Sequence, residues 1–341
     1  MTDPAKPEHT PSGELPVGVI GVGRLGSLHA KMYAEIPTAR LVGVTDLDQD
    51  AASAVARDLN TLPFRSASEL LGRVKAVSIA TPTSTHFELA KEAVGRGIHV
   101  FIEKPIAGTI EQASALTVME RENSVKLQIG HIERFNPALL ALEKYRLNPM
   151  FIESHRLAQF NPRGTDVGVV LDLMIHDIDI ILSLVRSSVT DIRANGVAVI
   201  SDSVDIANAR LQFENGCVAN VTASRISQKK MRKMRLFQRD AYISIDFSDG
   251  VSEVFRLVDG KAASAESTLM LGEINSGKVK RKIVYEQPQI PDVNALRCEL
   301  ESFIDAVMNN REPVVTAEEA TRALQVAHEI MEKIHQQRPF A

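Results

Sequence analysis

Four short stretches of the chain carry residue types at spacings that suit chemistry. The first is Gly21-Val22-Gly23-Arg24-Leu25-Gly26, a GxGxxG pattern directly after the apolar run Val17–Ile20. Gly21 permits a tight turn, Gly23 lets the backbone approach a pyrophosphate, and Gly26 allows a helix to pack closely on the strand. A helix opening at Arg24-Leu25-Gly26 turns its unpaired N–H groups toward the phosphates. Asp46 follows Gly26 by 20 positions, after the next apolar run. There its carboxylate accepts both ribose hydroxyls and repels a 2′-phosphate. The pattern predicts a dinucleotide site for NAD. Arg24 offsets part of the repulsion, so NADP is disfavoured rather than excluded.

Two more stretches follow strand-like runs: Thr81-Pro82-Thr83-Ser84-Thr85-His86, and Glu103-Lys104-Pro105. A doubly wound sheet places its ligand crevice at the carboxyl ends of its strands. Thr81, Pro82, His86, Glu103 and Lys104 therefore join the glycines, Arg24, Leu25 and Asp46 as candidate cofactor-binding residues. Lys104 is also a catalytic candidate, because an amine at the cofactor's edge can exchange a proton with a substrate hydroxyl. In the fourth stretch, Asp172, His176 and Asp179 stand four and three apart in an apolar helical pattern, and so share one face. Such a polar stripe is either hydrogen-bonded into a core or turned toward a ligand. No further ligands stand at diagnostic spacing, so no metal is expected.

The elements that must hold these residues are legible in outline. A length of 341 residues suggests about two domains. The runs Val17–Ile20, Leu41–Thr45, Ala76–Ala80, His99–Ile102 and Lys126–Ile129 alternate with helical spacings. Nearly continuous apolar strands between helices imply a parallel sheet covered on both faces, an α/β doubly wound domain over residues 16–130. Beyond Met150 the β-rich stretches Phe151–Phe160, Ile192–Ile200, Ile206–Phe213, Cys217–Ile226 and Tyr242–Phe247 are separated by turn signals such as Glu214-Asn215-Gly216. Residues 131–341 are expected to form an α+β domain with one apolar helix near Val169–Leu184. Two helices close the chain, the second opening with the capping box Thr316 to Glu319.

Composition narrows the function class. A hydrophobic share of 44% and a charged share of 24% describe an ordinary globular chain. A net charge of −4 supplies no field for nucleic acid or anionic membrane. Cys217 and Cys298 form no CxxC or zinc pattern, so a reducing compartment is expected. Residues 1–15 are polar and proline-rich, without the apolar core of a signal peptide, and are read as a flexible tail of a cytoplasmic protein.

Taken together, the GxGxxG start, Ala-Thr-Pro…His, Glu-Lys-Pro and Gly168-x3-Asp172-x3-His176-Asp177-x-Asp179 resemble the Gfo/Idh/MocA oxidoreductases from about Pro16 to Ile334. The resemblance implies a Rossmann domain and a second domain whose open-faced, largely antiparallel sheet makes homodimer or homotetramer contacts. It also implies closing helices that pack back on the first domain. It puts Lys104 and His176 at the reacting carbinol and Asp172 on the substrate hydroxyls. Within the family, Gln128–Pro137 and the apolar Leu171–Asp179 stretch are most similar to the branch that oxidises C3 of UDP-N-acetylglucosamine, the ketone passing to a partner aminotransferase for lipid A-type glycolipids. Arg134 and Asn136 are then candidate contacts to substrate phosphates or hydroxyls, with Asp179 beside them. The basic strand pattern Arg232-Lys233-Met234-Arg235-Leu236-Phe237 faces either a nucleotide diphosphate or solvent, and most of its charges are assigned to solvent or an oligomer contact. Rival readings are an inositol, simple-sugar or UDP-sugar uronate dehydrogenase, and a non-catalytic dinucleotide sensor.

Overall fold

The strands β1 (Leu15–Ile20), β2 (Ala39–Thr45), β3 (Leu62–Phe64), β4 (Ala76–Ile79), β5 (His99–Glu103) and β6 (Leu127–Gly130) alternate with the helices α1 (Arg24–Glu35), α2 (Gln49–Asp58), α3 (Ala67–Leu71), α4 (Thr83–Gly95) and α5 (Ile110–Asn123). A computed structural model provides these coordinates and describes residues 13–161, 167–259, 268–276 and 279–336. The expected N-terminal tail lies mostly outside the described residues. The six strands pair in parallel in the order β3-β2-β1-β4-β5-β6. This doubly wound order reverses beside β1, where such sheets bind their ligands. Strand β3 escaped the sequence pattern because it is three residues long, contains Pro63 and is largely exposed.

Local chemistry sets the helix starts. Asp48 caps α2 by accepting from Asp50 and Ala51 N–H, and Thr109 caps α5 by accepting from Gln112 N–H. The chain divides into two units, the first joining the residues up to Gly130 to Leu296–Glu318. Its core includes Val17, Val19, Tyr33, Val44 and Phe101, together with Leu300, Phe303 and Ile304 of the first closing helix. Phe303 meets Phe101 edge-on at 5.8 Å. Burying each such phenyl ring contributes roughly 1.5–3 kcal/mol. After that helix, the Ile129 N–H donates to Val315 O, extending the edge of β6.

The second unit runs from His131 to Ala295 and resumes at Glu319. It contains a short helix α6 (Pro137–Leu140), β7 (Phe151–Leu157), a π-helical turn over Val170–Met174, and α7 (Ile175–Val185). Strands β8 (Val189–Val197), β9 (Ile206–Phe213), β10 (Val218–Ser224), β11 (Met231–Gln238), β12 (Ala241–Asp246), β13 (Val251–Asp259), β14 (Thr268–Ser276) and β15 (Val279–Glu286) follow. The chain ends with α8 (Ala295–Met308), which belongs to the first unit, and α9 (Ala317–His335), which crosses into the second. The nine-stranded sheet is ordered β14-β15-β13-β12-β11-β7-β10-β9-β8 and is antiparallel except between β7 and β10. Apolar alternation is diluted by charge in β13 and β15, so neither stood out as a strand.

The two faces of this sheet differ. Ile152, Leu236, Ile243, Val254 and Val284 are fully buried on one. On the other, Phe151, Phe237, Tyr242, Phe255 and Tyr285 stand directly across from one another, with ring centroids 5.0–5.8 Å apart. Among the described residues, no helix is long and apolar enough to cross a membrane.

Candidate active site

In the first unit the glycine turn is shaped as its spacing requires. Gly21 adopts a left-handed φ of +86°, and a Cβ there would stand 2.8 Å from Ala80 O. A Cβ on Gly26 would stand 1.7 Å from Gly21 O, so only hydrogen fits between helix and turn. Gly23 is different: a Cβ there would meet nothing within 4 Å. It opens on free space at the amino end of α1, where no side chain caps the helix and no acidic residue occupies the first turn. A pyrophosphate fits that cradle, with open volume at Gly23 and uncapped N–H donors behind it. Arg24 and Leu25 are exposed beside it.

Asp46 lies half-buried just past β2. Its Oδ2 accepts from Val22 N–H at 2.7 Å and its Oδ1 from Asp48 N–H at 2.9 Å. The carboxylate thus ties the glycine turn to the end of β2, the position from which a ribose is read. Thr81 and Pro82 follow β4, and the Thr81 hydroxyl pairs with that of Thr85 at 2.7 Å.

His86 and Glu103, expected from the sequence to touch the cofactor, are turned inward. The two ring nitrogens of His86 lie 2.9 Å from Pro105 O and 2.8 Å from Thr81 O, and its side chain is buried. Burial lowers its pKa, while the two carbonyls pull the other way. His86 therefore clamps the Thr81 loop to the Lys104–Pro105 loop. Glu103 pairs with His29 Nε2 at 2.9 Å. His29 Nδ1 lies 3.3 Å from Ser78 Oγ, and the Tyr33 hydroxyl 2.8 Å from the same oxygen. Sequence reasoning missed this buried chain behind Lys104. Its signal was present, since His29 and Tyr33 share the buried face of α1 with Ala30. Lys104 itself is half-buried at the end of β5, joined to Pro105 by a cis peptide bond.

In the second unit Asp172 stands in the π-helical turn and His176 in the first turn of α7, both half-buried. Asp179 does not share their access. It is 1% exposed, and Arg134 grips it through Nε at 2.6 Å and Nη2 at 2.9 Å. Burial opposes the charge on Arg134, but the Asp179 carboxylate outweighs it and raises the guanidinium pKa. The two residues expected on the substrate thus pair with each other. Asn136, the third residue expected there, is engaged locally. Its Oδ1 accepts from Ala138 N–H, and its Nδ2 donates to Glu133 and Phe247 O, which caps α6 and ties it to the sheet.

Residues the sequence reading left out support His176 from behind. His131 is buried with its ring edge-on to His176, centroids 6.4 Å apart, and its Nδ1 is 3.8 Å from Asp179 Oδ2. Asp177 accepts from Ser154 Oγ at 2.6 Å and Arg156 Nε at 2.5 Å, and Arg156 Nη1 donates to Glu133 at 2.8 Å. The entry to the π turn is anchored separately. Arg225 bridges buried Asp205 at 2.8 Å and Val167 O at 2.7 Å, and the Val169 N–H donates to Val204 O.

Among the candidates, the first unit holds the glycine turn, Asp46 and Lys104, and the second holds Asp172 and His176. Within the first unit, a nucleotide cradle and a lysine on a clamped loop suit hydride chemistry at a carbinol; within the second, a histidine follows an aspartate by one turn. Comparison with known proteins agrees. Residues 15–131 match the oxidoreductase family with an NAD-binding Rossmann fold, and residues 145–251 the GFO/IDH/MocA C-terminal domain. UDP-N-acetylglucosamine 3-dehydrogenase of Acidithiobacillus ferrooxidans is 39% identical over 295 residues, 86% of this chain and 89% of that one. A solved structure of that enzyme superposes with a TM-score of 0.84 at 36% identity, covering 94% of this chain and 98% of the other. The scyllo-inositol 2-dehydrogenase (NAD(+)) of Bacillus subtilis is 28% identical over 333 residues, 90% of each chain. The chain belongs to the GFO/IDH/MocA oxidoreductase family, and its first unit is an NAD-binding Rossmann domain.

Proposed function

We propose that the chain oxidises the 3-hydroxyl of UDP-N-acetylglucosamine to a ketone, with NAD as the acceptor. The observation that carries this reading is the 39% identity to a dehydrogenase of that substrate over nearly the whole chain. Bound NAD supplies the hydride acceptor. Lys104 exchanges the proton of the reacting hydroxyl, His176 supports that transfer, and Asp172 orients the sugar hydroxyls. Arg134 and Asp179 hold the second-unit residues in place through their ion pair. The product, a 3-keto sugar nucleotide, suits an aminotransferase as the next step toward amino sugars of the lipid A type.

The test is nicotinamide reduction with UDP-N-acetylglucosamine, its uronate, myo-inositol and glucose, run with a ketone trap and as a single turnover. NADH formed only with UDP-N-acetylglucosamine, and a product oxidised at C3, supports the reading. Turnover with a free polyol alone overturns it in favour of the inositol branch. NAD binding without turnover on any of the four favours a dinucleotide sensor.

Cofactor choice rests on Asp46. Asp46→Ala is expected to weaken NAD by about 10-fold or more, since a charged hydrogen bond is worth about 1.5–3 kcal/mol, and to weaken NADP less. An NAD/NADP preference unchanged in titrations of the variant removes Asp46 from cofactor selection.

The aromatic row of the nine-stranded sheet supports self-association through that face. Phe237 is 36% exposed in the middle of it, and contiguous exposed apolar surface marks an interaction site. Phe237→Lys is expected to shift the protein to a smaller species in sedimentation velocity. An unchanged sedimentation profile removes this face from the assembly.

A further inference from the structure

The basic run on β11 is split by the pleat into two different surfaces. Lys233 and Arg235 point to the aromatic face, and both are neutralised there by neighbours across the strand. Lys233 Nζ is 2.9 Å from Asp246 and Arg235 Nη1 is 3.5 Å from Glu153. Arg232 has the opposite parity. It lies across from Arg156 in the β7–β11 register, on the face where Arg156 meets Asp177 of α7. That is the face carrying the helix of His176.

Arg232 is placed and charged for an anion. Its side chain is 53% exposed, and its ion-pair contact is one long approach of 3.4 Å to Glu133. Glu133 is already bound more tightly by Arg156, at 2.8 Å. Lys229 and Lys230, both exposed, immediately precede the strand and add two positive charges. Arg134, the cation that the sequence suggested for phosphates, is spent on Asp179, and Arg225 is buried against Asp205. A guanidinium is the side chain best matched to paired phosphate oxygens, which it meets with two parallel N–H bonds.

We propose that Arg232 receives the diphosphate of a nucleoside-diphosphate sugar. This rests on the reading of the second unit as the substrate-binding half. The geometry divides the labour: the buried Arg156 fixes Asp177 beside His176, while its exposed cross-strand partner holds the charged end of the substrate. A free polyol has nothing to offer Arg232, so this residue selects for the nucleotide-linked sugar.

The experiment compares wild type, Arg232→Met, Arg232→Lys and the opposite-face control Lys233→Met. Two readouts are used: steady-state oxidation of UDP-N-acetylglucosamine, and direct calorimetric binding of UDP. Loss of one charge-assisted contact predicts a KM and a UDP dissociation constant raised about 10- to 100-fold in Arg232→Met. The value of kcat stays within about twofold, as expected for binding energy shared by ground and transition states. Arg232→Lys recovers part of the loss, and Lys233→Met matches wild type. NAD affinity, read by fluorescence, is unchanged in all four. If wild type binds UDP and Arg232→Met does not, the subsite stands even where UDP-N-acetylglucosamine is not oxidised, and only the substrate assignment fails. KM and UDP affinity within twofold of wild type in folded Arg232→Met overturn the proposal. So does a wild type that binds no UDP at millimolar concentration.

Discussion

Lys104→Met is expected to lower turnover by about 10²–10⁴, the contribution of a positioned general acid or base, while NAD still binds. Lys104 leaves the end of β5 on a loop with little freedom. Glu103 before it is held by His29 at 2.9 Å, and Pro105 after it is held at its carbonyl by His86 at 2.9 Å. Such fixing is how a protein lowers a barrier without doing the redox chemistry itself. Lys104→Arg separates two roles. An arginine keeps the positive charge but does not give up its proton at any working pH. Equal loss in both variants, read by single-turnover NADH formation, means that the lysine moves a proton. Recovery by arginine means that its charge alone is needed, and unchanged turnover in Lys104→Met removes the residue from the mechanism.

What could be read before folding and what could not follow from sequence distance. The glycine turn and Asp46 lie within one β-α-β unit, so their spacing dictates their geometry, and Gly21, Gly23 and Gly26 each meet the need their position implies. The six-stranded sheet was legible for the same reason, apart from the three-residue β3. Pairings between distant residues were not. Arg134 and Asp179 are 45 residues apart, and His29 and Glu103 are 74 apart. Arg134, Asp179 and Glu103 each read as a candidate ligand until the partner is seen, and His29 did not stand out at all. The stripe Asp172, His176 and Asp179 divides into two half-buried residues and a buried one for a local reason. An α-helical period puts all three on one face, but Asp172 stands in a π turn and Asp179 is a turn deeper, under Arg134. On β11 the consecutive charges hid a period of two, so Arg232 read like its neighbours though it faces the other way.

Arg156→Met is expected to destabilise the second unit by about 3–5 kcal/mol, the cost of breaking a buried ion pair by removing one partner. Arg156 is 3% exposed and its guanidinium joins two carboxylates, Asp177 at 2.5 Å and Glu133 at 2.8 Å. Burial alone disfavours its charge, and those carboxylates reverse this, raising its pKa. Methionine fills most of the space and leaves both carboxylates without their shared cation. The loss is therefore one of stranded charge rather than of packing volume. Arg232, 3.4 Å from Glu133 and largely exposed, is too distant and too hydrated to replace it. Adding Glu133→Gln and Asp177→Asn removes the stranded charges, and the triple variant is expected to recover most of the stability. It is not expected to recover activity, because Asp177 adjoins His176 and its bonds to Arg156 and Ser154 set the first turn of α7. Urea unfolding at neutral pH reads the first effect and single-turnover kinetics the second. A shift below about 1 kcal/mol in Arg156→Met, the worth of an exposed pair, means that the triad is solvated in solution. Full activity in the triple variant means that His176 takes its position from the π turn alone.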